Sequence, residues 1–149
     1  TVLMVAEKPS IAETLAQALC TKGHPTKRQG SLPIHEYEGD FYGQRAWFKV
    51  TSCAGHVYSI DFPPEFNIWD RVDPMELFAA KTVKNEANPK LRMPAHFQKE
   101  ARGCSYLVLW LDCDREGENI CFEVMENVVP YLSSAQGQQV WRGHFSSFA

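Results

Sequence analysis

A chain of 149 residues, 44% apolar and 22% charged, has the makeup of one ordinary globular domain, long enough to bury about two-thirds of its unfolded surface. A net charge of −3 excludes whole-chain attraction to nucleic acid, so any such site has to be local. Cys20, Cys53, Cys104, Cys113 and Cys121 are scattered without C-x-x-C spacing, which argues against a disulfide framework or a zinc site and for reduced thiols inside a cell.

No apolar run approaches the roughly 18 residues of a membrane span, and no signal peptide is recognisable. The chain opens directly on an apolar run and stops at Phe145-Ser146-Ser147-Phe148-Ala149, so it reads as a fragment of something longer.

Val2 to Ala6 predicts a short strand, followed at once by Glu7-Lys8-Pro9-Ser10. Ser10 and Glu13 have capping-box spacing, which predicts a helix from near Ile11 that buries Ile11, Leu15, Ala18 and Leu19 and closes at Gly23. Glu7 and Lys8 then stand at a strand's C-terminal end beside a helix N-terminus, where α/β folds place ligands and backbone N–H groups favour phosphate. The plainer alternative makes Glu7 a solvated loop acid. Residues 24–33 read as a polar loop, and Ile34–Phe41 and Arg45–Ser52 as a β-hairpin around Gly43.

His56, in Gly55-His56-Val57, is a candidate for function or for a structural hydrogen bond. Asp61 to Asp73, with Pro63, Pro64, Phe66 and Trp69, reads as an irregular aromatic segment packed on the domain. Lys81 to Arg92 reads as a basic loop, either solvated or facing a nucleic-acid backbone. Pro94 begins a helix to Arg102, ended by Gly103. A buried strand from Tyr106 follows. The next helix runs from Arg115 to about Val129, with an apolar stripe of Gly117, Ile120, Cys121, Val124, Met125 and Val128, and Pro130 stops it. Gln139 to Ser146 predicts a last strand that turns Arg142 and His144 to one face. The outline is a β–α unit, a hairpin and loop insert, then α–β–α–β. That is an α/β domain.

The chemistry gathers where the apolar run Tyr106 to Leu111 stops at Asp112-Cys113-Asp114-Arg115-Glu116-Gly117-Glu118. In an extended chain Asp112 and Asp114 point the same way. Oxygen ligands at the end of a buried strand suit Mg²⁺, although an exposed acidic turn capping the helix has the same composition. Strands of a parallel sheet share one C-terminal edge, so Glu7 and this cluster are expected to face one crevice. Carboxylates crowded there repel, raise some pKa values and call for a divalent cation. A glutamate so perturbed can act as a general acid–base, and Lys8 suits a phosphate oxygen. This is equipment for phosphoryl transfer without a nucleophile.

Glu7-Lys8-Pro9-Ser10, Gly55-His56-Val57 and Asp112-x-Asp114-Arg115-Glu116-Gly117, in that order, resemble the Toprim domain of type IA DNA topoisomerases, the eukaryotic beta branch of topoisomerase III in particular. Further support comes from His35-Glu36-Tyr37, Glu86-Ala87-Asn88-Pro89-Lys90-Leu91 and Phe145-Ser146-Ser147.

The resemblance implies a Rossmann-like Toprim domain over residues 1–149, with a mainly parallel central sheet flanked by helices plus a β-hairpin and loop insert, as the N-terminal part of a longer topoisomerase. It implies that Asp112, Asp114 and Glu116 bind Mg²⁺, with Mn²⁺ as a substitute and Glu7 as a further ligand. Glu7 would serve as proton donor and acceptor for the 3′-oxygen, and Lys8 would stabilise the scissile phosphate. Lys8, Ser10, Arg115 and Arg142 are the candidate nucleic-acid contacts, and His56 and Glu118 are additional site candidates.

In the family a tyrosine of a separate, later domain, in a Ser-Tyr-Pro-Arg-like setting, attacks the phosphate. Tyr37, Tyr42, Tyr58, Tyr106 and Tyr131 lack that setting, so the chain alone is not expected to relax DNA. The implied partners are single-stranded DNA or RNA, the remaining topoisomerase domains and accessory scaffold proteins, with no membrane. The implied location is the nucleus and also the cytoplasm. At the last strand the sequence departs from the family, which has a second basic residue near His144 and continues Ser-Ile-Thr. Rival readings are a Toprim-type nuclease or primase-like domain, an Asp-nucleophile phosphatase attacking through Asp112, and a non-catalytic module that the metal merely stabilises.

Overall fold

The computed structural model describes residues 1–63, 65, 69–78 and 80–145. In chain order the elements are β1 (Val2–Ala6), α1 (Pro9–Leu19), β2 (Thr26–Arg28), β3 (Ile34–Phe41), β4 (Gln44–Ser52), β5 (Tyr58–Asp61), β6 (Val83–Glu86), α2 (Met93–Ala101), β7 (Tyr106–Trp110), α3 (Arg115–Val128) and β8 (Val140–Arg142). Six strands form one sheet in the order β2-β3-β4-β1-β7-β8, and β5 and β6 pair separately. The neighbours β4, β1, β7 and β8 run parallel, while β2 and β3 join antiparallel on the β4 side. The expected mainly parallel α/β sheet with a hairpin addition is what forms.

β1 occupies the centre because all five of its residues are apolar and can be covered on both faces. Leu3 and Val5 pack with Leu107 and Leu109 beneath Met93, Phe97 and Ala101 of α2 and Ile120, Val124 and Val128 of α3. Val2, Met4 and Ala6 pack with Phe48, Val50 and Val108 against Ala12, Leu15 and Ala16 of α1. Each large aliphatic side chain so buried contributes about 1.5–3 kcal/mol.

Several boundaries differ from expectation for local reasons. Helix α1 starts at Pro9, whose fixed φ suits a first turn, and Lys8 is its N-cap without a side-chain bond. Ser10 therefore lies inside the helix, where its carbonyl accepts from the Thr14 hydroxyl, and the predicted capping box does not form. The buried residues are Ala12, Leu15 and Ala16 rather than Ala18 and Leu19, since small side chains let the helix lie close to the sheet. Helix α1 ends at Leu19, short of Gly23.

Polar segments read as loops hold two more strands. β2 pairs with Ile34 to Glu36, and β6 pairs with β5. Their side chains are mostly exposed, so neither carries an apolar pattern. β8 stops at Arg142, and Gly143, where a Cβ would stand 2.5 Å from the Trp110 ring, donates its N–H to the Leu109 carbonyl at 2.8 Å. His144 thus lies beyond the strand predicted to carry it. In the segment predicted as aromatic packing, Pro64 and Phe66 lie outside the described residues; Trp69–Arg71 forms a 3₁₀ turn.

Candidate active site at the edge of the sheet

The register decides which side chains meet. Ala6 lies opposite Ser52 on one side and Trp110 on the other, so β1 and β7 end level. The next residues, Glu7 and Leu111-Asp112, therefore leave the sheet together. Glu7 Oε2 accepts the Asp112 backbone N–H at 3.1 Å, a contact between residues 105 apart in sequence. Parallel topology thus brings Glu7 and Asp112 to one sheet edge, as expected.

The turn after β7 is held tightly against the start of α3. Asp114 is the N-cap of α3, and its Oδ1 accepts Gly117 N–H at 2.6 Å. Gly117 has to be glycine, because a Cβ there would lie 2.0 Å from the Asp112 carbonyl oxygen. Arg142 clamps the turn from β8. It donates to the Leu111 carbonyl at 2.5 Å, to the Asp112 carbonyl at 2.7 Å, and to Glu118 Oε1 at 2.9 Å. Proposed earlier as a nucleic-acid contact, Arg142 thus has its guanidinium engaged in holding the acidic turn, and Glu118 is its counter-ion.

His56 joins the edge from the connection after β4. Its Nε2 stands 3.4 Å from Glu116 Oε1 and its Nδ1 stands 3.4 Å from Glu123 Oε1. His144 meets the turn through Cys113, with Nδ1 3.9 Å from Sγ. Lys8 and Arg115 are exposed at the N-terminal ends of α1 and α3, and among the described residues neither forms a salt bridge. Ser10 is exposed in the first turn of α1. Both helix N-termini and both cations therefore flank the acids, an arrangement that favours an anion such as phosphate. Glu123 was not foreseen; it reads as one polar residue on an amphipathic helix. Its spacing of seven from Glu116 was the available signal.

Glu7 is pushed above the ordinary carboxylate range first by burial, then by its side-chain interaction with Asp112 and by the negative charges of Asp112 and Asp114. The N–H donated by Asp112 opposes this without cancelling it. The donors at the edge are carboxylate oxygens, the chemistry Mg²⁺ prefers. Among the described residues no three His, Cys, Asp or Glu side chains close into a metal cage. Mg²⁺ needs none, because it keeps waters and binds through one or two carboxylates plus substrate phosphate. The residues that would hold it are Asp112, Asp114 and Glu116, with Glu7 alongside.

Residues 2–143 match the Toprim domain family along nearly the whole fold just described. The chain belongs to the Toprim domain family. This Toprim domain is 54% identical to DNA topoisomerase 3-beta of Oryza sativa subsp. japonica, over 99% of the chain and 17% of that protein. It is 53% identical to DNA topoisomerase 3-beta-1 of Homo sapiens, over 99% of the chain and 18% of that protein. Similarity extends to DNA topoisomerase 3-alpha of Arabidopsis thaliana, 40% identical over 85% of the chain and 14% of that protein. The Toprim domain thus spans less than a fifth of the length of these relatives.

Proposed function

We propose that this Toprim domain is the metal-binding and acid–base half of a type IA DNA topoisomerase. In the full-length protein it would serve Mg²⁺-dependent cleavage of one DNA strand, strand passage and religation, with RNA as an alternative substrate. The observation that carries the reading is the Glu7–Asp112 contact, which sets a carboxyl of raised pKa against the acids at one sheet edge. The names of the relatives support the reaction class.

Bound Mg²⁺ would neutralise the crowded carboxylates and orient the scissile phosphate. Glu7 holds a proton that passes to the 3′-oxygen as the O3′–P bond breaks, and takes it back when that oxygen re-attacks. Lys8, at the N-cap of α1, offers a point charge to a non-bridging phosphate oxygen.

The attacking hydroxyl would come from another domain. Tyr37 is buried in a stack with Phe48, and the Tyr58 hydroxyl is bonded to Asn127. Tyr42 and Tyr106 lie against Trp141, and Tyr131 lies under Arg102. We place the full-length protein in the nucleus and cytoplasm; among the described residues no helix is long and apolar enough to cross a membrane.

The test is Glu7→Gln in the full-length protein. Loss of a general acid–base lowers cleavage and religation by about 100-fold or more, with Mg²⁺ binding retained. Wild-type rates in that variant would remove Glu7 from the chemistry. Multiple-turnover cutting of single-stranded DNA by the chain alone would favour the nuclease reading instead.

A further inference from the structure

Glu123 lies in α3 seven residues after Glu116, so at about 100° per residue the two fall on one line along the helix. Its side chain is only 17% exposed, and both oxygens engage the connection that follows β4. Oε2 accepts the Val57 N–H at 2.8 Å, and Oε1 meets His56 Nδ1 at 3.4 Å. Asn127, a further turn along the same line, donates to the Glu123 carbonyl at 3.0 Å and exchanges hydrogen bonds with the Tyr58 hydroxyl. The segment from His56 to Tyr58 is thus fastened along α3. The imidazole bridges a held carboxylate and a free-standing one, for the Glu116 side chain is 64% exposed and its Oε1 faces His56 Nε2 at 3.4 Å.

We propose that Glu123 is a positioning residue for the cation site. By holding His56 through Nδ1 and its loop through the Val57 amide, it fixes where Nε2 stands, and so keeps Glu116 at the sheet edge beside Asp112 and Asp114. A long carboxylate side chain on the first turn of a helix otherwise samples several rotamers, and a cation would have to order it on binding. Both carboxylates can only accept, so with a proton on each nitrogen the tethered imidazole donates to Glu123 and to Glu116 and does that ordering beforehand. Ligating carboxylates are commonly held by hydrogen-bonding partners of this kind, whose loss weakens metal affinity by about 10–100-fold. The inference rests on the metal reading of this edge. It differs from a purely structural role, in which Glu123 only pins the loop through Val57.

The experiment is a Mn²⁺ titration of the 149-residue chain, read by the EPR signal of free Mn²⁺, with amide hydrogen exchange at Val57 followed in parallel. Glu123→Asp keeps the charge but is one methylene too short to reach both partners, and Glu123→Ala removes it. Both are expected to weaken Mn²⁺ binding about tenfold. Glu123→Gln can still accept the Val57 N–H and touch the imidazole, and is expected to stay within about threefold of wild type.

If Asp114→Asn binds Mn²⁺ as well as wild type, the metal reading of the edge falls and this inference falls with it. If Asp114→Asn loses binding while Glu123→Asp keeps wild-type affinity, the metal reading stands and Glu123 is not a positioning residue. Loss of Val57 protection in Glu123→Ala with affinity unchanged overturns it in the same way. Should Glu123→Ala fail to fold, Glu123→Asp against Glu123→Gln decides alone.

Discussion

Glu100 on α2 and Glu7 at the end of β1 are two glutamates drawn partly or fully out of water, and their protonation moves in opposite directions. Burial alone would raise the Glu100 carboxyl. The two-pronged bond from Arg28, at 3.1 and 2.6 Å, and the attraction of Arg28 and Lys49 outweigh it and hold Glu100 below the ordinary range. Around Glu7 burial works with the neighbours, because Asp112 and Asp114 are negative, and the carboxyl rises. The first cluster closes its own charge balance and ties β2 to α2. The second is held through Gly117 and Arg142, and among the described residues Glu7, Asp112 and Asp114 form no salt bridge, an arrangement that suits the proposed cation.

The largest test asks whether the acidic edge is as firmly built as the Arg28 network. Gly117→Ala drives a methyl into the Asp112 carbonyl, where backbone on both sides leaves little room to relax. Urea unfolding is expected to show a loss of about 3 kcal/mol. An unchanged curve would mean that the acidic turn is loosely held.

Next, Arg28→Ala strands the Glu100 charge, whose side chain is 4% exposed; because Arg28 itself keeps 37% exposure, a loss of about 2 kcal/mol is expected, below that of a fully buried pair. Asp114→Asn, measured the same way, stays within about 0.5 kcal/mol of wild type, since asparagine caps a helix as well as aspartate does. Equal losses from the two substitutions would erase the contrast.

Third, Mg²⁺ at ten times its dissociation constant stabilises the wild-type chain by about 1.4 kcal/mol, an upward shift in Tm of roughly 3–6 °C. Asp114→Asn abolishes the shift and Arg28→Ala retains it. A parallel response of wild type and Asp114→Asn would leave the acids with a structural role.

The smallest effect is in pH dependence. Glu100, lowered on folding, contributes stability that is present above the glutamate's ordinary 4.5 and lost as pH falls through its lower folded value. Glu7, raised on folding, does the reverse: its contribution is present below 4.5 and lost as pH rises through its higher folded value. Burial also lowers His35 and His96, which adds stability as pH rises toward 6.5. The difference between wild type and Glu7→Gln isolates the glutamate. Wild type should lose stability relative to the variant as pH climbs above 4.5 without Mg²⁺, and a flat difference would deny the raised carboxyl.

Much of the site was legible because its signals are local. An apolar run ending in alternating acids, and a second run ending in Glu-Lys-Pro-Ser, each specify a strand end, and parallel topology brings the two together. What was not legible depends on contacts across the sheet. Arg142 reads as a basic residue free for phosphate, yet three partners distant in sequence claim its guanidinium. Glu123 looks like solvent-facing helix surface until the loop carrying His56 closes on it. β2 and β6 are too short and polar to show alternation, and only pairing defines them. The capping box failed for a local reason: Pro9 starts the helix one residue before Ser10 could cap it.

The place of β1 between β4 and β7 also bears on how the chain is made. Of this domain's strands β1 leaves the ribosome before the others, but its β7 neighbour begins at Tyr106. Until then one edge of Val2-Leu3-Met4-Val5-Ala6 stays unpaired, an apolar template for association with other chains. Translation of this domain therefore passes through a long interval in which its most buried strand is its most vulnerable. A product truncated before residue 106 would remain in that state.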